Sequence, residues 1–151
     1  MEGPSLGRGD LTPAEVRHGK DGRVTKILVA EDEPDIRMLL KLALSFTGYH
    51  VIPATDGQMA YTLALQEIPD LILMDVQMPK LNGYEACRQI KAEATLRHIA
   101  VVFLSACGAT TDMQAGFAAG ATAYVRKPFR LDDLMHTVAE ILGRRAMPQP
   151  V

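Results

Sequence analysis

Three runs of apolar residues without polar alternation stand out along the chain: 27–30 (Ile-Leu-Val-Ala), 71–74 (Leu-Ile-Leu-Met) and 99–104 (Ile-Ala-Val-Val-Phe-Leu). Continuous apolar runs of this length predict strands buried on both faces, as in a parallel sheet covered by helices. Two weaker strands are predicted at 50–54, where Pro53 points to a sheet edge, and at 121–126. Helical periodicity fills the gaps. Pro34 starts a helix with Ile36, Leu39, Leu40 and Ala43 on its inward face, ended by Gly48. Asp56-Gly57 opens a second, with Ala60, Leu63, Ala64 and Ile68 inward, stopped by Pro69. A loop through Asn82-Gly83 leads to a third, carrying Tyr84, Cys87, Ile90 and Lys91. Residues 107–119 predict a fourth, weakened by Gly116, which costs up to about 1 kcal/mol relative to Ala. The last spans 131–142, with Leu131, Leu134, Met135, Val138 and Leu142 in one stripe, acids Asp132 and Asp133 in its first turn, and Gly143 as its stop. Strand and helix thus alternate through the chain, which implies right-handed crossovers and a doubly wound α/β sheet.

Composition narrows the class. A chain of 151 residues with 48% hydrophobic content is one domain's worth of core. The net charge of −2 and the lack of a basic block provide no electrostatic footprint for nucleic acid or a membrane surface. No apolar run reaches the length of a membrane span, and the first residues lack the apolar core of a signal peptide, so a cytoplasmic location is expected. Cys87 and Cys107 have no metal-ligand spacing and are expected to be reduced. Residues 1–24, rich in glycine with few large apolar side chains, are expected to form a flexible leader, with one helical turn started at Thr12-Pro13. Residues 25–143 form the domain, and 144–151 a flexible tail. His18, His50, His98 and His136 are expected at surfaces or element boundaries.

Chemistry collects at one edge. In a parallel doubly wound sheet, all the strand carboxyl ends lie together, where such folds bind ligands. That edge gathers Glu31, Asp32, Asp75, Ser105 and Lys127 from separate strands. Asp75 by itself could simply begin a turn. Glu33 and Asp35 could face a helix dipole, which accounts for one or two acids better than for the run Glu31-Asp32-Glu33. Carboxylate oxygens of this kind suit Mg²⁺ better than a softer metal, and a lysine and a hydroxyl opposite them would balance a phosphoryl group.

With these motifs in this order, residues 26–143 resemble the receiver domain of bacterial two-component response regulators, of the single-domain, chemotaxis-regulator-like type. The resemblance implies a flavodoxin-like sheet of strand order 2-1-3-4-5 with helices on both faces. It implies Asp75 as phosphoacceptor, and Glu31, Asp32, Asp75 and the Gln77 backbone carbonyl as Mg²⁺ ligands. Ser105 and Lys127 would bind the phosphoryl oxygens, and Ser105 and Tyr124 would act as the switch. Gln77 and Cys107 would tune hydrolysis, and Lys127-Pro128 would match a cis peptide. The implied partners are a histidine kinase or phosphotransfer protein and an unidentified downstream protein, with a phosphorylation-dependent homodimer left open. Beyond self-phosphorylation and autodephosphorylation, no enzyme activity is implied. Departures from the family pattern are Glu31 where Asp is common and Ser105 where Thr is common; neither removes a function. A haloacid-dehalogenase-like phosphohydrolase would need a second Asp where Gln77 stands. A flavodoxin-like FMN carrier would need a hydroxyl-rich loop where Glu31-Asp32-Glu33 stands.

Overall fold

The computed structural model describes residues 15–19, 22–106 and 110–146. Five strands form one parallel sheet in the order β2-β1-β3-β4-β5: β1 (Lys26–Ala30), β2 (His50–Ala54), β3 (Leu71–Asp75), β4 (Ala100–Ser105) and β5 (Ala123–Arg126). The expected strand order is found. The first three helices are α1 (Pro34–Phe46), α2 (Gly57–Glu67) and α3 (Gly83–Ala92), followed by α4 (Thr110–Ala118) and α5 (Leu131–Ala146). β3 and β4 are buried at every position, as their unbroken apolar runs require.

Strand alternation divides the core in two. Ile27, Val29, Leu71, Leu73, Val102 and Leu104 point to the face covered by α1 and α5, where they meet Leu40, Leu44, Leu134, Val138 and Ile141. Leu28, Ile72, Met74, Val101 and Phe103 point to the other face, against α2, α3 and the end of α4. β2 is an edge strand, consistent with Pro53 within it.

Several boundaries differ from expectation. Leu39 is 47% exposed; α1 buries Leu40 and Leu44 instead, with Ile36 partly covered. The inward stripe is therefore rotated from the expected one, and Met38, Leu39, Leu42 and Phe46 face outward. Ile68 is not helical: it caps α2 in the left-handed region at φ 48, because the residue before Pro69 is disfavoured in the α region. Gly143 does not stop α5, which runs on to Ala146; it lies outside the glycines with positive φ, so it makes no left-handed cap. β5 begins two residues later than expected, at Ala123. The Thr12-Pro13 turn lies outside the described residues.

Part of the leader is ordered on the domain. Arg17 N–H donates to Gly48 O at 2.9 Å, its Nε donates to Thr47 O at 2.8 Å, and its guanidinium sits 5.3 Å from the Tyr49 ring centre. His18 forms an antiparallel bridge with Val24. Backbone pairing and a stacked arginine do this without any apolar period, so hydrophobic patterning has no purchase on it.

Two glycines show why the loop after β3 is built as it is. A Cβ on Gly83 would collide with Asp75 O, and one on Gly57 with Leu81 O. Backbone therefore passes directly over backbone beside Asp75, and neither atom can yield by a rotamer change. Gly83→Ala is expected to destabilise the domain by about 1–3 kcal/mol, the range for overpacking, read as a lowered midpoint in urea denaturation; an unchanged midpoint would contradict the close approach.

Candidate functional site

The register of the sheet brings the polar residues together. Asp75 ends β3 opposite Leu104, Ser105 ends β4 opposite Arg126, and Ala30, last in β1, lies opposite Met74. The chain leaves β1 directly into Glu31, Asp32 and Glu33, and leaves β5 into Lys127. Lys127 N–H donates to Ser105 O at 2.8 Å, which holds the lysine against the end of β4. The Lys127-Pro128 peptide is cis.

Lys127 Nζ is the centre of the charge arrangement. It lies 2.9 Å from Glu31 Oε1, 3.3 Å from Asp75 Oδ2 and 3.6 Å from Glu33 Oε1. Glu31 is fully buried, Asp75 and Ser105 are buried, and Asp32 and Glu33 are exposed. Glu31 also accepts from Glu33 N–H at 3.2 Å through Oε2, and its own carbonyl accepts from Arg37 Nη1 at 2.8 Å. Asp75 Oδ1 accepts from Gln77 N–H at 3.2 Å. A cleft of about 200 Å³ opens above these groups, lined by Asp32, Glu33, Asp75, Gln77, Ala106 and Lys127.

The carboxylates are under strain from each other. Burial, the hydrogen bond with Glu31 and the Glu31 charge push the Asp75 carboxyl up to about 7, against the pull of Lys127 and the Gln77 N–H. Burial alone would lower the Lys127 ammonium, but the Glu31 hydrogen bond and the Asp75 and Glu31 charges outweigh it, and the net shift is upward. One ligand oxygen from each of Glu31, Asp32 and Asp75 fits within 4.8 Å of the others. A small hard divalent cation suits this set: the donors are carboxylate oxygens, Asp32 is open to water, and the local charge is short of positive partners.

Each site residue expected from sequence falls at this edge except two. Tyr124 lies on the other side of β5 from the cleft, partly buried in the α4 face, its ring centre 6.4 Å from that of Phe103. Phe103 in turn meets Tyr84 edge-on at 5.0 Å. Cys107 lies outside the described residues. Gly116, expected only to weaken α4, is buried where a Cβ would sit 3.1 Å from both the Phe103 and Tyr124 rings. Its absent side chain makes room for the aromatic cluster. Cys87 is buried, donates to Ala119 O, and burial raises its thiol to about 11, which fits a structural role. Sequence reasoning missed Arg37 as a brace for Glu31, and Glu33 as a wall of the cleft. The acidic run hinted at Glu33; nothing in the pattern of α1 singled out Arg37.

The response regulator receiver domain family matches residues 27–139. The chain belongs to the response regulator receiver family. It is 41% identical over 122 residues to a probable transcriptional regulator ycf27 of Galdieria sulphuraria, covering 81% of this chain and 47% of that protein. The chain spans about half the length of the curated relatives it matches. Among solved structures, it is similar to the receiver domain of sensor histidine kinase PA1611 from Pseudomonas aeruginosa, which has a magnesium ion coordinated in its active-site cleft. That match has 32% identity and a TM-score of 0.74, covering 79% of this chain and 98% of that one. It also resembles the chemotaxis protein CheY4 of Vibrio cholerae, with 28% identity and a TM-score of 0.73, covering 82% of this chain and 98% of that one. The fold and role of this receiver, phosphorylation-dependent signal transduction, follow from that membership. Among the described residues no helix is long and apolar enough to cross a membrane.

In the metal-free receiver, ¹³C carboxylate NMR is expected to show Asp75 titrating near 7. Glu31→Gln should move that midpoint down, since it removes the nearest negative charge. The native state holds a proton between about 3.8 and about 7 that the unfolded chain releases, so this carboxyl makes stability fall as pH rises across that window. A midpoint near 4 would refute both the burial effect and the Glu31 contribution, and an unchanged midpoint in Glu31→Gln would refute the latter alone.

Proposed function

We propose that this receiver takes a phosphoryl group from a histidine kinase or phosphotransfer protein onto Asp75. The observation that carries the reading is the Lys127 ammonium 3.3 Å from Asp75 at the mouth of an acid-lined cleft. The ionised Asp75 oxygen attacks phosphorus, the bond from phosphorus to the histidine nitrogen breaks, and the imidazole leaves with its electron pair. Lys127 neutralises charge on the transferring oxygens, and the Ser105 hydroxyl, at the adjoining strand end, donates to one of them. Glu31, Asp32, Asp75 and the Gln77 backbone carbonyl would hold Mg²⁺. When bound, the ion would supply the positive charge that the cluster lacks. Gln77 and Cys107 set how long the acyl phosphate survives water. The protein carries out only its own phosphorylation and dephosphorylation, and it does so in the cytoplasm.

The product is a change in the receiver's own charge, which biases a two-state surface formed by α4, β5 and α5. Ser105 moves toward the phosphoryl group, and the Tyr124 ring follows inward along the face it shares with Phe103. A downstream protein, or a second copy of the receiver, reads the result. As to type, the similarity to the chemotaxis protein CheY4 supports a chemotaxis-regulator-like receiver. The coverage of only about half of the curated regulators supports a second reading, a receiver joined to an output domain. The intact mass of the protein isolated from its host separates the two.

Incubation with an acyl phosphate should label the protein only when a divalent metal is present, and Asp75→Asn should reduce labelling to background. Stable labelling of Asp75→Asn would sink the assignment. For the switch, a double-mutant cycle in partner or homodimer affinity compares phosphorylated Ser105→Ala, Tyr124→Ala and the double variant. A coupling energy of about 0.5 kcal/mol or more is expected, and strictly additive losses would show that the two residues act independently.

A further inference from the structure

Glu33 occupies the N-cap position of α1, where Ser, Thr, Asp or Asn would cap best, and its side chain makes no capping hydrogen bond. Its carboxylate reaches toward the cleft instead. Oε1 lies 3.6 Å from Lys127 Nζ with the side chain 61% exposed, so it covers the outer side of an ammonium whose inner side is taken by Glu31 and Asp75. Glu33 lines the cleft, yet it is not among the acids whose oxygens converge within 4.8 Å. The helix dipole suits an acid at this position, but neither a capping hydrogen bond nor membership of the converging acids accounts for its reach to Lys127.

We propose that Glu33 is a donor-specificity residue: an anionic guard at the mouth of the cleft that disfavours free, multiply charged phosphoryl donors relative to a phosphoryl group presented by a protein. The inference rests on Asp75 as the phosphoacceptor. A small donor enters by its own affinity alone. Its charge must approach an exposed carboxylate and replace that carboxylate beside Lys127. A phosphoryl group carried on a partner's histidine is brought in by contacts elsewhere on the two proteins, which offset the same repulsion. With an acyl phosphate, the bond between phosphorus and the acyl oxygen breaks, the bond from Asp75 Oδ to phosphorus forms, and the carboxylate leaves with its electron pair. Glu33 gives and takes no proton or electron in that step.

The test uses the full chain with Mg²⁺ and two probes, acetyl phosphate as a dianion and phosphoramidate as a net monoanion. Glu33→Gln should raise the second-order rate of phosphorylation by acetyl phosphate about two- to five-fold, the range that an exposed ion pair supports. The gain should be smaller with phosphoramidate and should shrink as salt screens the carboxylate. Independently of turnover, ¹⁹F NMR should show tighter binding of the phosphoryl mimic beryllofluoride by Glu33→Gln, with the melting temperature lowered only slightly, because an exposed ion pair and a helix-end charge are lost but no cap bond. Equal rates for the variant and the natural protein with both donors, or an equal gain with both that salt does not alter, would overturn the guard while leaving Asp75 in place. No labelling of either protein, or labelling that survives Asp75→Asn, would overturn the phosphoacceptor reading and the guard with it.

Discussion

One ammonium serves three carboxylates in this domain, and most of the site's behaviour follows from that shortage. Lys127 lies within ion-pair distance of Glu31, Asp75 and Glu33, and Asp32 stands beside them. Glu31 can be fully buried because the lysine and the Glu33 N–H both bind it. What remains is an excess of negative charge in a partly dry cleft, and Asp75 absorbs the excess by holding its proton up to about 7. Such a cluster favours a divalent cation, whose charge would offset that of Glu31, Asp32 and Asp75. The same shortage means that any change of charge in this small volume is a large electrostatic event.

Parallel pairing is what delivers these groups to one place. Each strand of the sheet runs the same way, so β1, β3, β4 and β5 release their chains at one edge, and the register sets Asp75, Ser105 and Lys127 within a few residues of each other across three strands. The loop after Asp75 is held by close backbone packing at Gly83 and Gly57 and by the Asn82–Glu85 capping box that starts α3. The Asp75 side chain therefore stands between a buried strand and a tightly packed loop, which fixes its position.

An aromatic cluster covers the opposite surface of β4 and β5. Phe103 lies between Tyr84 and Tyr124 on the face under α4, two residues before Ser105 on the same strand. Gly116 lets the helix lie directly on these rings. At that point the helix backbone, with no side chain between, packs against the Phe103 and Tyr124 rings. This gives the glycine a packing role beyond its unfavourable helix propensity.

Hydrophobic period determined β1, β3 and β4 and with them the placing of Asp75 and Ser105 at strand ends, since burial on two faces leaves an unbroken apolar run; the edge strands β2 and β5, less buried, left a weaker one. The acidic stretch after β1 likewise pointed to a cation by repulsion alone. The rotation of α1 was another matter: Leu39 and Leu40 are equally apolar, and only the surface that α1 packs against decides which is covered. Gly143 reads as a stop, yet α5 continues through it, because a cap also needs the left-handed backbone that the chain does not adopt there. The docking of Arg17 on the turn after α1 uses backbone carbonyls and one aromatic ring, neither of which leaves a periodic trace. The sharing of Lys127 among Glu31, Glu33 and Asp75 could not be read in one dimension either: which carboxylates reach an ammonium that is 96 residues from Glu31 along the chain depends on strand register and loop path, and these exist only once the sheet has formed.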